Sequence, residues 1–404
     1  MDFSDTPEEA AYREKAAAWL KANAPPGVPR YERIGGADLE RAREFQRKKA
    51  AAGYAQITWP KDWGGPGGTP IQSVIFGQEE AKYAVNSAYF GIGLGMCIPT
   101  VIAFSDEETK KRFVGPGLRG EEIWCQLFSE PSGGSDVAAA RTRAVRDGDD
   151  WVINGQKIWS SGAHYSDYGI LLVRTNMDAP KHKGMTMFWI DMKAPGVEVR
   201  PIHQMSGGSG FNEVFFTDLR IPDSQRLGAV DDGWKVSLVT LMNERLSIGA
   251  GSAADYSAFM DLARQVDLDG QPALKHPALR EKIADWYVQT EGLRHTRMRT
   301  ITALSKGATP GPENSIAKII SAVQAQDMGS EAVDMLDQFG IISDPRVALQ
   351  DGLFEAQWLS GPGSRIAGGT DEILRNIIAE RVLGLPGDIR VDKDVPFKDM
   401  PTGR

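Results

Sequence analysis

The sequence predicts an α+β protein in which a helical unit, a β-rich unit and a second helical unit follow one another. Helix-start signals and helix-length segments fill residues 1–121. Short period-two apolar runs bounded by glycine, proline and aspartate fill residues 122–228, and long amphipathic stretches fill most of residues 229–404. A chain of 404 residues has room for two or three domains, and we expect three with these bounds.

The composition is that of an ordinary globular protein, with 41% hydrophobic and 25% charged residues. A net charge of −8 argues against a nucleic-acid-binding protein, which needs a basic face. Cys97 and Cys125 form no C-x-x-C pair, and His182 and His203 have no partner at ligand spacing, so we expect no disulfide framework and no metal site. With an N-terminus too acidic for a signal peptide, these features predict a cytoplasmic protein.

The first unit is expected to be all-helical. Thr6-Pro7-Glu8-Glu9 supplies a capping hydroxyl, a first-turn proline and acids at the positive end of the helix dipole. Pro25-Pro26-Gly27 ends that helix. Segment 84–105 has no charged residue, but its glycines dilute its apolar content, so we expect a buried helix rather than a membrane span. Further helices are expected at 39–52, 71–83 and 106–113.

The middle unit contains the most distinctive pattern. Trp151–Ile153 and Gln156–Trp159 are predicted to be two short strands around the turn Asn154-Gly155, the strongest short-range hairpin signal. The segment Ser129–Asp136 is a polar turn whose N–H groups and hydroxyls could hold a phosphate or a ring edge; a plain surface turn is an equally good interpretation. Further strands are expected at 170–174, 186–191, 197–202 and 214–216.

The last unit is predicted to be a helical bundle, an architecture that often forms oligomers. Its four long helices are expected at 233–249, 277–305, 315–338 and 371–383. The charged, proline-containing end at 390–404 is expected to be loose or to extend over a neighbouring subunit.

Ser129-Glu130-Pro131 with Gly134-Ser135-Asp136, followed by Asn154–Lys157 and Trp159, resembles the flavin-binding signature of the acyl-CoA dehydrogenase family. The resemblance extends along nearly all of the chain. It implies an N-terminal helical domain, a middle β-barrel domain and a C-terminal four-helix bundle, with FAD and an acyl-CoA thioester between the last two.

The resemblance also implies an activity in lipid metabolism. In this family a carboxylate removes the α-proton of an acyl thioester and a hydride passes from the β-carbon to flavin N5, giving a 2,3-enoyl-CoA. Electrons then pass to an electron-transfer flavoprotein, as in fatty acid β-oxidation. A homo-oligomer, either a tetramer or a dimer, is expected.

The position of the catalytic base is unusual. The family most often places a glutamate just before a Gly-Thr near the C-terminus, but the matching residue here is Gly368, which cannot accept a proton. A minority places the base one residue before an arginine on an earlier helix, and Glu244-Arg245 matches that pattern. The resemblance implies that Glu244 is the base and that Arg245 has a positional role; a surface ion pair is the alternative. Small residues on the face of Glu244, such as Ser237 and Thr240, would leave room for a ligand.

The other site residues implied by the resemblance fall into two groups. The residues expected to contact FAD are Gln126, Phe128, Ser129, Ser135, Trp159, Ser161, Thr370 and Glu372. The residues expected to contact the acyl-CoA are Ser135, Arg245 and, through its backbone N–H, Gly368. Trp159 has an alternative interpretation as a core indole.

Three segments depart from the family pattern. Only Arg264 within 262–274 could stand for the Arg-x-x-Phe-Gly element, 337–341 replaces a Phe-Gly-Gly loop, and 360–364 is rich in glycine and proline. Two alternatives therefore stay open: a non-catalytic or co-catalytic subunit of a mixed oligomer, and a flavin oxidase or monooxygenase on the same fold. Gly368 and Gly369 open the pocket, which favours a branched, long or bulky acyl group.

Overall fold

We analysed a computed structural model of the chain. It describes residues 5–28, 35–83, 85–248, 256–305, 311–387, 389 and 392–400. These residues form two compact units that interleave along the sequence. The bundle unit is drawn from 1–38, 69–85 and 248–387, and the sheet unit from 39–68, 86–247 and 388–404.

The bundle unit is built from helices. They are α1 (Pro7–Asn23), α3 (Pro70–Glu80), α8 (Tyr256–Ala263), α9 (Pro277–Ser305), α10 (Ser315–Leu336), α11 (Leu353–Ile366) and α12 (Asp371–Arg381), with the short strands β9 (Asp267–Leu268) and β10 (Gln271–Pro272). Thr6 forms a reciprocal capping box with Glu9, which confirms the predicted start of α1. The core of the helices after residue 256 contains Phe259, Trp286 and Phe354.

Helices α8 and α11 were not predicted. Helix α8 is only eight residues long, and α11 contains Gly361 and Pro362, which resemble a break. In the structure Gly361 has a packing role, which it shares with Gly329 of α10. A Cβ on Gly361 would lie 3.2 Å from the Cα of Gln326, and a Cβ on Gly329 would lie 2.9 Å from the backbone N of Trp358. The glycines therefore let α10 and α11 approach closely.

The sheet unit combines one large sheet with helices. The helices are α2 (Gly35–Ala51), whose first turn belongs to the bundle unit, α4 (Ala88–Ile92), α5 (Ile98–Phe104), α6 (Glu107–Leu118) and α7 (Gly233–Ile248), with a π-helical turn at Gly93–Cys97. The strands are β1 (Trp124–Leu127), β2 (Arg143–Asp147), β3 (Asp150–Lys157), β4 (Tyr168–Arg174), β5 (Met185–Asp191), β6 (Val197–Pro201), β7 (Asn212–Pro222) and β8 (Arg226–Leu227). Their order is β6-β7-β3-β2-β4-β5-β8, with β1 parallel to β4.

Strand β4 is buried on both faces. Ile170 and Leu172 pack in the cluster that includes helical residues of α5, α6 and α7. Leu171 and Val173 pack in a second cluster with residues of strands β3 and β7. This alternation follows from the two-residue side-chain period of a strand. No helix in the described part of the chain is long and apolar enough to cross a membrane.

The predicted hairpin around Asn154-Gly155 is wrong. Strand β3 runs straight through these residues, and its hairpin partner is β2, across a turn at Gly148 and Asp149. The pairing of β3 with β7 shifts register between Ile153 and Gly155. Glycine is required at 155 by a tertiary contact and not by a turn, because a Cβ on Gly155 would lie 2.7 Å from the Cα of Thr142.

Two segment ends also differ from the prediction. Helix α6 does not stop at 113 but continues through Pro116 to Leu118. Residues 392–400 of the C-terminal end are not loose: Phe397 is buried and its backbone N donates to the Ala179 carbonyl, 2.9 Å away.

Gly155→Ala tests the account of β3. We expect the free energy of unfolding to fall by roughly 2–4 kcal/mol, because the new Cβ meets backbone and Gly155 has φ +150°. Denaturant unfolding measures this. Gly210→Ala is the matched control, since a Cβ there meets nothing within 4 Å. Equal stability of the two variants would contradict the account.

Candidate functional site

The loop that follows β1 is anchored by a buried ion pair. Lys157, fully buried at the end of β3, donates to the Oε1 of Glu130 at 2.7 Å and to the carbonyl of Phe128 at 3.0 Å. The Glu130 carboxylate also accepts from the backbone N–H groups of Arg141, at 2.6 Å, and Thr142, at 2.9 Å. Both ends of the segment from Phe128 to Thr142 are therefore fixed to one pair of charges.

Burial opposes ionisation of both members of this pair. For Glu130, the Lys157 ammonium and the N–H donors outweigh burial and hold its pKa below the ordinary value. For Lys157, burial dominates and lowers the pKa. Because the pKa of Glu130 is depressed in the folded state, its stabilising contribution is present above about pH 4.3 and is lost as the pH falls through the lowered value.

The anchored loop exposes some predicted site residues and buries another. Ser135 is exposed, while Gln126 and Ser129 are half-buried. The side chain of Phe128 belongs to the core, so only its main chain is available to a ligand.

Trp159 is not a core indole. It follows β3 with a positive φ of 58°, which is rare for a bulky residue and marks a constrained position. Its side chain is 55% exposed, and its ring meets Phe211 edge-on at 5.9 Å. The preceding Ile158 donates its backbone N–H to the carbonyl of Ser129 at 2.9 Å, which places the indole beside the anchored loop. Ser161, two residues further on, is half-buried.

An exposed indole, next in sequence to a residue whose backbone bonds the serine-bearing loop, fits a flat, hydrogen-bonding ring system. Indole stacking needs a free ring face, and loop hydroxyls can donate or accept at the edge of a ring. Trp159, Ser135, Ser129, Ser161 and Gln126 therefore have side chains with the chemistry and at least partial accessibility that fit the cofactor, whereas the Phe128 side chain does not.

Helix α7 is packed more tightly than predicted. Ser237 and Thr240 are fully buried, and the hydroxyls of Thr240 and Thr100 of α5 are 2.8 Å apart. At Thr240 the expectation of room for a ligand is wrong, because Thr100 of α5 occupies that space. Glu244 and Arg245 lie one turn further along α7; their side chains lie outside the described residues.

The glycine pair before α12 forms a left-handed turn, with φ +66° at Gly368 and +95° at Gly369. A side chain at Gly368 would be strained, so the missing carboxylate there matches the backbone conformation. Thr370 is the N-cap of α12 and accepts from the backbone N of Ile373 at 3.3 Å. Glu372 is exposed, and N–H donation from its own backbone and a hydrogen bond with Thr370 lower its pKa.

A lysine on α10 holds this turn in place. The Nζ of Lys318 donates to the carbonyls of Arg365, at 3.0 Å, and Gly369, at 2.7 Å. The Arg365 guanidinium in turn bonds the buried carboxylate of Asp371 at 2.7 Å. Sequence reasoning missed Lys318; the available signal was a single charge in the otherwise uncharged stretch from Ser315 to Gln326.

The predicted site residues are divided between the two units. The sheet unit contains Gln126, Phe128, Ser129, Ser135, Trp159, Ser161, Glu244 and Arg245, and the bundle unit contains Gly368, Thr370 and Glu372. Arg264 is exposed and pairs with Asp261, three residues earlier. Among the described residues, no group of three or more His, Cys, Asp or Glu side chains could hold a metal ion.

Comparisons with known proteins cover nearly the whole chain. Models of the acyl-CoA dehydrogenase N-terminal, middle and C-terminal domains match residues 6–121, 125–219 and 231–383. The acyl-CoA dehydrogenase IpdE1 of Mycobacterium tuberculosis is 34% identical over 394 residues, which cover 94% of this chain and 98% of that protein.

Two further similarities differ in extent. The acyl-CoA dehydrogenase FadE34 of Mycobacterium tuberculosis is 34% identical over 87% of this chain, but the chain spans only about half of it, 47%. A solved structure named Tcur3481-Tcur3483 steroid ACAD superposes with a TM-score of 0.81 at 27% identity, covering 96% of this chain and 100% of that one.

Lys157→Met tests the anchoring pair. We expect a loss of about 3–5 kcal/mol in unfolding free energy, because Glu130 would stay buried without its counter-charge. The double variant Glu130→Gln with Lys157→Met should recover part of this loss. Denaturant unfolding measures both, with Lys193→Met, whose ion pair with Asp167 is on the surface, as the control. A single variant as stable as this control would refute the anchoring role.

Lys318→Met tests the glycine turn. We expect faster amide exchange at residues 367–373 and a loss of about 1–3 kcal/mol, since two carbonyls lose their donor. Lys282→Met, which removes an exposed ion pair with Glu331, is the control. Unchanged exchange at 367–373, measured by mass spectrometry, would show that the turn does not depend on Lys318.

Proposed function

The chain belongs to the acyl-CoA dehydrogenase family of oxidoreductases, and from this premise we propose that it desaturates an acyl-CoA thioester to a 2,3-enoyl-CoA with FAD as its cofactor. The observation that best supports FAD binding is the exposed indole of Trp159, held at a positive φ beside the Ser129 loop. Family members are FAD flavoproteins, and the residues present fit the cofactor. Three consecutive domains at 1–121, 122–228 and 229–404 remain our proposal, supported by the segments that the three domain models match.

Eight residues are proposed to hold the cofactor. Trp159 would contribute its indole, and the other residues would contribute hydroxyl, amide, carboxylate or main-chain groups. The eight residues are Gln126, Phe128, Ser129, Ser135, Trp159, Ser161, Thr370 and Glu372. FAD, when bound, supplies the acceptor for the hydride that leaves the β-carbon.

Glu244 is the proposed base for the α-proton. Gly368 has no side chain to do this, and a carboxylate stands at the alternative family position on α7. A base for a weakly acidic thioester works best in a dry pocket, where burial raises the carboxylate pKa toward neutrality. Arg245 is proposed to have a positional role, because an unshielded guanidinium beside the base would lower that pKa.

The backbone N–H of Gly368 is proposed to donate to the thioester carbonyl. Such a donor stabilises the negative charge that develops on the oxygen as the α-proton leaves. The turn suits this task because Lys318 holds its carbonyls and Thr370 fixes its end. Ser135, exposed on the anchored loop, is the proposed contact of the sheet unit with the acyl-CoA.

We propose a branched, long or bulky acyl group. Gly368 lacks the side chain that a glutamate would place there, and the similar structure named a steroid ACAD supports a ring-bearing group. An electron-transfer flavoprotein is the proposed acceptor, in a lipid-degrading pathway such as β-oxidation. A cytoplasmic location is consistent with two buried, unpaired cysteines.

The second candidate is a subunit of a mixed oligomer. The similar structure carries two protein names, Tcur3481-Tcur3483, and the only remnant of the family's inter-subunit element, Arg264, pairs within its own segment. The leading proposal is instead a homo-oligomer. Anaerobic titration of the purified chain with straight, branched and ring-bearing acyl-CoAs separates the two.

The proposed enzyme should be yellow alone and should bleach with one class of thioester. A colourless chain that gains flavin only with a second protein would favour the mixed oligomer. Rapid oxygen consumption with the thioester would favour an oxidase or monooxygenase.

Glu244→Gln tests the base. We expect the rate of flavin bleaching by the best thioester to fall by roughly 10²–10⁴-fold with little change in flavin content, because the amide cannot accept the α-proton. Stopped-flow absorbance measures the rate. Glu281→Gln, the same change at an exposed position of α9, is the control. Near-normal bleaching by Glu244→Gln would remove it from the mechanism.

A further inference from the structure

The C-terminal segment Asp392–Met400, called here the tail segment, packs against the sheet unit of its own chain. Phe397 and Lys398 donate backbone N–H groups to the carbonyls of Ala179 and Met177, at 2.9 and 3.0 Å. Pro396 forms a bridge with Pro180. The tail segment is therefore bound through its main chain, as an added strand would be.

The side chain of Phe397 is 2% exposed and lies against two guanidinium groups. Arg174 stands 3.8 Å from the centre of its ring and Arg141 stands 5.3 Å away. Arg174 is fully buried, and burial lowers its pKa to about 10, so it is charged at neutral pH. The negative face of the ring compensates part of that buried charge.

Arg174 connects this ring to the loop that bears Ser135. Its hydrogen bonds reach the carbonyls of Ala138, at 2.5 Å, and Ala140, at 3.4 Å, and also that of Lys181, at 2.7 Å. The segment from Ser135 to Thr142 is called here the Ser135 loop. Anything that fixes the Arg174 guanidinium also fixes two carbonyls of this loop.

Lys181 forms a second connection. Its Nζ lies 2.7 Å from the carboxylate of Asp136 and 2.5 Å from that of Asp392. The Lys181 ammonium thus links Asp136, which is next to Ser135, to Asp392, the first residue of the tail segment. The side chain of Lys181 is largely buried, so both ion pairs are screened less than pairs between two exposed side chains.

We propose that the tail segment is a positioning element for the Ser135 loop, acting through Phe397 on Arg174 and through Asp392 on Lys181. The effect on a ligand rests on the proposed function, in which Ser135 contacts the acyl-CoA. Arg174 and Lys181 are the intermediaries, and Phe397 and Asp392 are positioning residues that need not touch any ligand. If the Ser135 loop is held in place only while the tail segment is bound to the sheet unit, ligand binding depends on that contact.

Amide exchange of the full-length chain tests the positioning directly. In Phe397→Ala we expect exchange in the Ser135 loop to accelerate about tenfold, because Arg174 loses the ring face and the loop opens more often. Phe397→Trp, which keeps an aromatic face, should restore slow exchange, whereas Phe397→Leu should not. Lys398→Ala, which removes a surface pair with Asp178, is the control and should leave the loop unchanged. Unchanged exchange in Phe397→Ala would overturn the proposal.

Asp392→Asn provides an independent variant at a surface-accessible position, should the ring substitution impair folding. It should accelerate exchange around Asp136, and Asp392→Glu should rescue it, because Lys181 regains a carboxylate. Slow exchange around Asp136 in Asp392→Asn would overturn the link through Lys181.

Kinetics with the best thioester then separate this proposal from the proposed function. If both hold, Phe397→Ala, assayed at the flavin content of the parent protein because Ser135 is also a proposed FAD contact, raises KM several-fold and leaves kcat within about twofold, since ground-state binding of the thioester is weakened. Faster loop exchange with an unchanged KM would support the tail as a positioning element and remove Ser135 from the acyl-CoA site.

Discussion

The buried pair of Lys157 and Glu130 is the interaction on which the proposed cofactor surface depends. It closes the loop between Phe128 and Thr142 from inside, with the carboxylate accepting two backbone N–H groups and the ammonium donating to a carbonyl. Moving two charges out of water costs free energy unless the charged groups find other hydrogen-bond partners. Here the loop backbone supplies such partners to both groups. The loop conformation and the pair therefore stabilise each other.

The same arrangement recurs at two other loops. Arg174 donates to carbonyls of the Ser135 loop, and Lys318 donates to the carbonyl of Arg365, before the glycine turn, and to that of Gly369 within it. In each case a cation on a regular strand or helix holds the irregular backbone that bears proposed ligand residues. A chain with a net charge of −8 thus uses some of its cations internally, as hydrogen-bond donors to loop carbonyls.

Features that depend on residues close together in the sequence were predictable, and features that depend on long-range contacts were not. The capping box at Thr6 involves residues three apart, and the β-strands after 168 follow from an apolar pattern, so the sequence indicates both. Asn154-Gly155 misled because glycine is required there by the close approach of Thr142, which lies just before β2. Lys318 could not be assigned for the same reason: its partners lie about fifty residues further along the chain, and no local pattern identifies them.

The glycine at 368 links backbone geometry to the choice of base. The turn between α11 and α12 needs two consecutive positive φ angles to deliver Thr370 to its capping position. A glutamate at the first of them would adopt a left-handed conformation that costs an L-residue about 1–2 kcal/mol. Glycine removes that strain and also removes the carboxylate, while the backbone N–H remains. A site built on this turn keeps its donor for a carbonyl oxygen and must obtain its proton acceptor from another residue.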